Sequence, residues 1–139
     1  MRRALLSLLI LAAPPAAAEP EFLRLGDCAG WAVEGGAHAG AVLTGIDLTG
    51  ATLRDVDLSG AGLSLARMDG ATLERVCLDG ADLGGASLVG AVLIDVSLIG
   101  ADLRGAVLEG ARPDGTDLSA ARLCKTQMPD DEMANAGCD

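Results

Sequence analysis

Leucine recurs in this chain at every fifth residue, a spacing that neither the α-helix nor the β-strand can use. From Leu43 to Leu123 an unbroken five-residue step passes through 17 centres, of which 15 are Leu; Met68 and Pro113 are the exceptions. The position two before each centre is Ala 12 times, the others being Ile46, Val56, Val76, Val96 and Thr116. The position two after is Gly 11 times, and no insertion breaks the phase over residues 41–125. On a helix, five steps of about 100° would spiral the leucines around the axis. On a continuous strand an odd step would alternate them between faces. One arrangement remains: a centre and the residue two before it face inward on a short straight side, and the chain then turns. The Gly after each centre fits that corner, because Gly accepts turn dihedrals that other residues resist.

A slower period fixes the number of sides. "ATLRDVDLSG" (51–60), "ATLERVCLDG" (71–80) and "AVLIDVSLIG" (91–100) recur every 20 residues. Units of five in a period of 20 give four sides per turn, with equivalent residues stacked about 4.8 Å apart as in a parallel ladder. Leu63, Leu83 and Leu103 then form one inner column, continued from Leu43. Leu88 and Leu93 belong to the two following sides. Asp55, Arg75 and Asp95 replace the corner Gly and form a column of alternating charge. Phe22 and Trp31 are the whole aromatic content, and a core of Ala and Leu without rings to fill irregular space must be narrow and regular.

Units such as "ADLGG", "ASLVG" and "ADLRG" resemble the pentapeptide-repeat family, whose motif is written A(D/N)LXX. The resemblance covers residues 41–125 and implies an all-β, right-handed quadrilateral parallel β-helix, here of about five coils. It extends to both flanks. Residues 19–40 continue the register as a degenerate first coil, with Leu23, Cys28, Val33 and His38 at centres. Exported members open with a two-cysteine segment; in "LGDCAGW" (25–31) Cys28 takes the place of the first cysteine and Trp31 that of the second, so Cys28 reads as an inward thiol and Trp31 as an end plug. The ending "ARLCKTQMPDDEMANAGCD" is similar to a family tail, with Asp131 where Gly is usual. It implies a Cys124–Cys138 disulfide folding residues 126–139 over the last coil. Pro113, which cannot donate to a ladder, belongs at an edge.

The N-terminus has the pattern of a secretory signal: Arg2 and Arg3, an apolar run from Ala4 to Ala13, and an A-x-A site at Ala16–Ala18. Cleavage there would remove residues 1–18; a retained membrane anchor is the alternative reading. Cys28 follows Asp27, where a lipid-attachment site needs a small residue. Without Arg2 and Arg3, 8 basic residues face 20 acidic ones. That balance disfavours direct nucleic-acid binding and an anionic membrane surface, and suits a basic partner. Four cysteines in an exported chain point to disulfide use, and the implied location is periplasmic or secreted.

Chemistry-bearing residues are few. His38 is the one histidine and falls at an inward centre, as a structural group. No Ser has a His and Asp set to activate it, and no Cys or His spacing suits a metal. Cys77 points outward in a column with Asp57, Ser97 and Asp117 and reads as a free or partner-linked thiol. Asp82 and Asp102 stack in one column, with Asp47, Asp57 and Asp117 on neighbouring faces. A flat ladder offers too few converging oxygens for Ca²⁺, so these read as a solvated surface. The sequence therefore implies no catalytic residue, cofactor or metal. It suggests a non-enzymatic exported scaffold for a protein partner, monomeric or joined end to end. The family resemblance supplies a second reading, since some members are acidic rods that occupy the DNA channel of a type II topoisomerase; an export signal opposes it. An enzyme built on Cys77 is the third reading.

Overall fold

The computed structural model describes residues 32–135 and 138. The signal-peptide expectation for residues 1–18, the readings of Cys28 and Trp31, and most of the degenerate coil lie outside them.

The described chain is a four-sided parallel β-solenoid. One side is a five-stranded parallel sheet of β1 (Ala32–Glu34), β2 (Thr52–Arg54), β3 (Thr72–Glu74), β4 (Val92–Ile94) and β5 (Arg112–Asp114), in sequential order. Partners are twenty apart, as in Leu53↔Leu73 and Leu73↔Leu93. The other three sides are columns of single bridges: Ala37–Asp57–Cys77–Ser97, Val42–Gly62–Asp82–Asp102–Arg122 and Asp47–Arg67–Ser87–Val107–Gln127. The 20-residue coil read from the sequence is thus the coil of the structure. Between β1 and β5 lie four complete turns rather than five. The fifth is partial, because residues 115–120 leave the ladder and the chain reverses after residue 129.

Two of the hydrogen bonds repeated on each side define its shape. The centre donates to the coil above, as Leu63 N to Asp82 O (2.7 Å) and Leu83 N to Asp102 O (2.7 Å). The inner small residue closes the corner behind it, as Ala86 N to Leu83 O (3.0 Å). Alanine fits this place because its carbon lies against the inside of the corner, where the next leucine needs room. Leu43, Leu63, Leu83, Leu88, Leu93 and Leu103 are all buried, and the inner alanines and leucines form one continuous core.

Corners require a left-handed residue. Gly occupies most of them, but Asp55, Leu65, Arg75, Asp95 and Lys125 take φ values of 51–60° there. A left-handed non-glycine residue costs on the order of 1–2 kcal/mol. At Leu65 the exposed side chain lies across Gly85, where an added Cβ would come 2.9 Å from Leu65 Cδ2. Gly85 is thus needed both for its φ of 66° and for the space above Leu65.

The C-terminal end is finished by three devices. Centres donate their N–H upward, so Pro113, in edge strand β5, carries no N–H at a place where no coil lies above to accept it. Thr116 and Thr126 replace Ala at inner positions and donate Oγ1–H to Leu93 O (2.9 Å) and Leu103 O (2.7 Å) of the coil below. Finally, β6 (Thr126–Gln127) stays in register on the last side, pairing Gln127 with Val107, and β7 (Met133–Ala134) returns antiparallel to it. The repeat geometry therefore runs a few residues beyond the expected boundary at 125. The reversal of direction is what stops it, since an antiparallel strand offers no template for another coil.

Candidate functional site

With the inner positions committed to the core, any recognition falls to the outward side chains. The chain's acidity is used there in a regular way. Asp47, Asp57, Asp82, Asp102 and Asp117 each accept a hydrogen bond from the backbone N–H two residues on, at Thr49 (3.0 Å), Ser59 (3.0 Å), Gly84 (3.0 Å), Arg104 (3.0 Å) and Ser119 (2.9 Å). Asp69 and Asp79, one place after a centre, reach the coil above. They accept from Val89 N (3.1 Å) and Ile99 N (3.0 Å), and from the hydroxyls of Ser87 and Ser97. These N–H groups lie just past each centre, outside the ladder, so the carboxylates complete the backbone hydrogen bonding. Asp82 and Asp102 do share a column, but each binds its own turn. Asp117 leaves the Cys77 column because it caps the 3₁₀ turn Leu118–Ala120.

Titration follows this bonding. The Thr49 hydrogen bonds hold Asp47 below its ordinary carboxylate range, the Ser59 bonds do so for Asp57, and the Arg104 side chain for Asp102. The charge column is only half formed. Arg75 grips Asp55 with both ends of its guanidinium, Nε–Oδ1 2.7 Å and Nη2–Oδ2 3.1 Å, and also reaches Glu74. It does not pair with Asp95, whose carboxylate lies over Gly115. The Arg75 guanidinium is taken up by Asp55 below it and by Glu74 of its own coil. Arg54 pairs along the stack with its ladder neighbours, Glu74 in the coil above (3.0 Å) and Glu34 in the coil below (3.8 Å). Apart from the half-buried Glu74 these groups are largely exposed, so solvent screens each pair and its contribution to stability is small.

Cys77 is half-buried and free. A backbone hydrogen bond from Asp79 lowers its pKa, but burial and the carboxylates of Asp79 and Asp57 outweigh that bond and raise it overall. A thiol held protonated is a poor nucleophile at neutral pH. His38 is inward, as its place in the repeat predicts, and lines the N-terminal end of the core with Val33, Leu43, Leu48 and Leu53. Among the described residues no group of three or more His, Cys, Asp or Glu could hold a metal ion, and no helix is long and apolar enough to cross a membrane. Cys124 and Cys138 are joined, with an S–S distance of 2.06 Å and Cα atoms 4.7 Å apart. The bond ties the returning tail to the last coil.

The sequence offered a signal for the carboxylate caps that the repeat reading passed over: apart from the corner residues Asp55 and Asp95, Asp in the repeat falls one place before or one place after a centre, never at one. Thr116 and Thr126 were visible as departures from the inner alanine, without a role. The open end described further below could not be read from the repeat, since it depends on where the stack stops.

The comparisons agree with this geometry. A search of curated proteins returns no match. Among solved structures, a pentapeptide repeat protein from the Arabidopsis thaliana thylakoid lumen superposes with a TM-score of 0.63 at 25% identity, over 83% of this chain and 79% of that one. A trypsin-treated variant of QnrB1, a plasmid-mediated fluoroquinolone resistance protein, superposes with a TM-score of 0.57 at 19% identity, over 73% of this chain. The match spans 65% of that QnrB1 chain and shows likeness of fold alone. The family model for pentapeptide repeats matches residues 39–75 and 77–112, in eight copies. With more than half its residues so matched, on a stack whose coil, inner columns and corners follow the motif, the chain belongs to the pentapeptide-repeat family.

Proposed function

We propose that this protein is a non-enzymatic, exported scaffold whose outward faces bind a protein partner. The observation that carries the reading is the division of labour along each side. Inner residues fill the core, the Asp residues flanking the centres cap the backbone, and the remaining outward side chains stand on rigid, nearly flat faces held by a ladder. Such faces lose little conformational entropy when a partner docks. The Cys124–Cys138 bond supports export, because a stable disulfide belongs to an oxidising compartment. The Arg2–Ala18 pattern supports it independently.

A photo-crosslinking residue placed at Ser64, Val89 or Ile99, in cells that carry the native export machinery, tests the interaction. A defined adduct from one face and not the others is the expected result. Equal, diffuse labelling from all faces would defeat the reading.

The acidic balance of 20 Asp and Glu against 10 Lys and Arg favours one other reading, mimicry of DNA toward a type II topoisomerase. Against it stand the interleaved Arg54, Arg75, Arg104 and Arg122, which break any continuous anionic strip, and the export signal. A supercoiling assay with the oxidised protein decides it: inhibition at micromolar protein would favour mimicry over the scaffold.

A further inference from the structure

At the C-terminal end of the solenoid, β7 pairs with β6 and the Cys124–Cys138 bond ties the tail to the last coil. Between the returning tail and β5 an open groove of about 410 Å³ remains, lined by Pro113, Leu118, Met128, Pro129, Met133 and Ala134 together with Asp130 and Glu132. Its floor is the top of the core. Met133 is 55% exposed at its rim. Two methionines give such a floor an adaptable, polarizable surface, and the volume lies within the range of ligand pockets, roughly 300–1,000 Å³.

The charges around the groove select the occupant. Asp130 and Glu132 line it and no Lys or Arg is among its lining residues; next to Pro113 in β5, the exposed Arg112 and Asp114 offset one another. A second copy of the same end would oppose acid to acid. It would also meet Pro113, which offers no N–H to a ladder. An occupant that inserts an apolar side chain and carries cations alongside satisfies both the floor and the rim.

We infer that this end groove is a docking site for a cationic, amphipathic protein segment, held in shape by the Cys124–Cys138 bond. This rests on the scaffold reading and adds to it a place and a partner chemistry. The disulfide matters because Met133, Glu132 and Ala134 form one wall of the groove and belong to the loop that it closes.

The oxidised chain, labelled with ¹³C at its methionine methyl groups, can be titrated with a synthetic Leu/Lys amphipathic peptide and with its Leu/Glu counterpart. Buried Met68 is an internal control. The Leu/Lys peptide is expected to shift the Met128 and Met133 signals saturably and leave Met68 in place. Glu132→Lys is expected to weaken binding about tenfold, in keeping with loss and reversal of a rim charge. Cys124→Ser, its core still folded by the Met68 signal, should lose the response. Equal response to the Leu/Glu peptide, or no saturable shift with either peptide, would overturn the proposal. So would Met128 and Met133 shifts that follow protein concentration alone, which would make the end a self-association surface. A face-specific crosslink obtained alongside a silent groove would remove the groove and leave the scaffold standing.

Discussion

Leu83→Ala is a direct probe of how the stack holds itself together. Leu83 is fully buried, between Leu63 below and Leu103 above, with Ala81 beside it on the same inner side. Truncation removes a large buried side chain and leaves a cavity unless the neighbours close in. Measured costs for such truncations span about 2.7–5.0 kcal/mol, the larger values where the site cannot collapse. Here the coil spacing is set outside the core by the ladder, with Leu63 N to Asp82 O and Leu83 N to Asp102 O both at 2.7 Å. Leu63 and Leu103 therefore cannot approach one another without breaking those bonds. The cost should fall in the upper half of the range, about 4 kcal/mol. The same change at Leu123 lies in the last coil, under a tail that can settle, and should cost about 2 kcal/mol less. Urea unfolding of the oxidised protein, followed by circular dichroism with both variants sharing the wild-type m-value, measures the difference. Equal costs at the two positions, or a Leu83→Ala cost near 1 kcal/mol, would refute the claim that the ladder holds the core at fixed spacing.

Further outcomes follow from the outward bonds. Asp79→Ala should destabilise by about 1 kcal/mol, because Ile99 N and Ser97 Oγ lose their acceptor, while Asp79→Asn should recover much of that; the same urea titration distinguishes them. Asp47, Asp57 and Asp102 have folded pKa values held below the unfolded one. The stability they contribute is present above the unfolded carboxylate value of about 3.9 and is lost as pH falls from there through the folded values. The urea midpoint should therefore be flat near neutrality and decline below about pH 4, whereas a midpoint rising on acidification would contradict the assignment. Reducing Cys124–Cys138, which closes a loop of sequence separation 14, should cost about 3 kcal/mol on the chain-entropy account and release β7. Hydrogen exchange should then show faster exchange at Met133 and Ala134, with the amides of residues 61–108 unchanged.

The central stack was legible because its rule is local and repeated. Leu at every fifth position, Ala two before it and the 20-residue recurrence together left one geometry, and the columns Leu43–Leu63–Leu83–Leu103 and Leu73–Leu93 form as the spacing requires. The edge position of Pro113 was legible for the same reason, from the missing N–H. What the repeat could not convey is how a side chain chooses between neighbours. Arg75 stacks between Asp55 and Asp95, and the structure pairs it with Asp55 and with Glu74 of its own coil, a partner the column alone does not reveal. Nor could it show where repetition ends. Residues 115–120 keep the five-residue spacing yet leave the ladder, because Thr116 and the Asp117 cap favour a local turn. Residues 126–129 look like tail yet remain in register, because Thr126 finds a buried acceptor at Leu103. The end groove exists only as a consequence of those two departures.

The account turns most directly on the state of the protein after synthesis. Intact-mass analysis, with thiol alkylation, of untagged protein expressed with its own leader and recovered from the soluble envelope fraction reads processing, location and redox state together. We predict a chain that begins at Glu19, lacks the two hydrogens of a Cys124–Cys138 bond, and alkylates under denaturing conditions at Cys28 and Cys77. A chain retaining residues 1–18 in the cytosol, with Cys124 and Cys138 both alkylated, would contradict it.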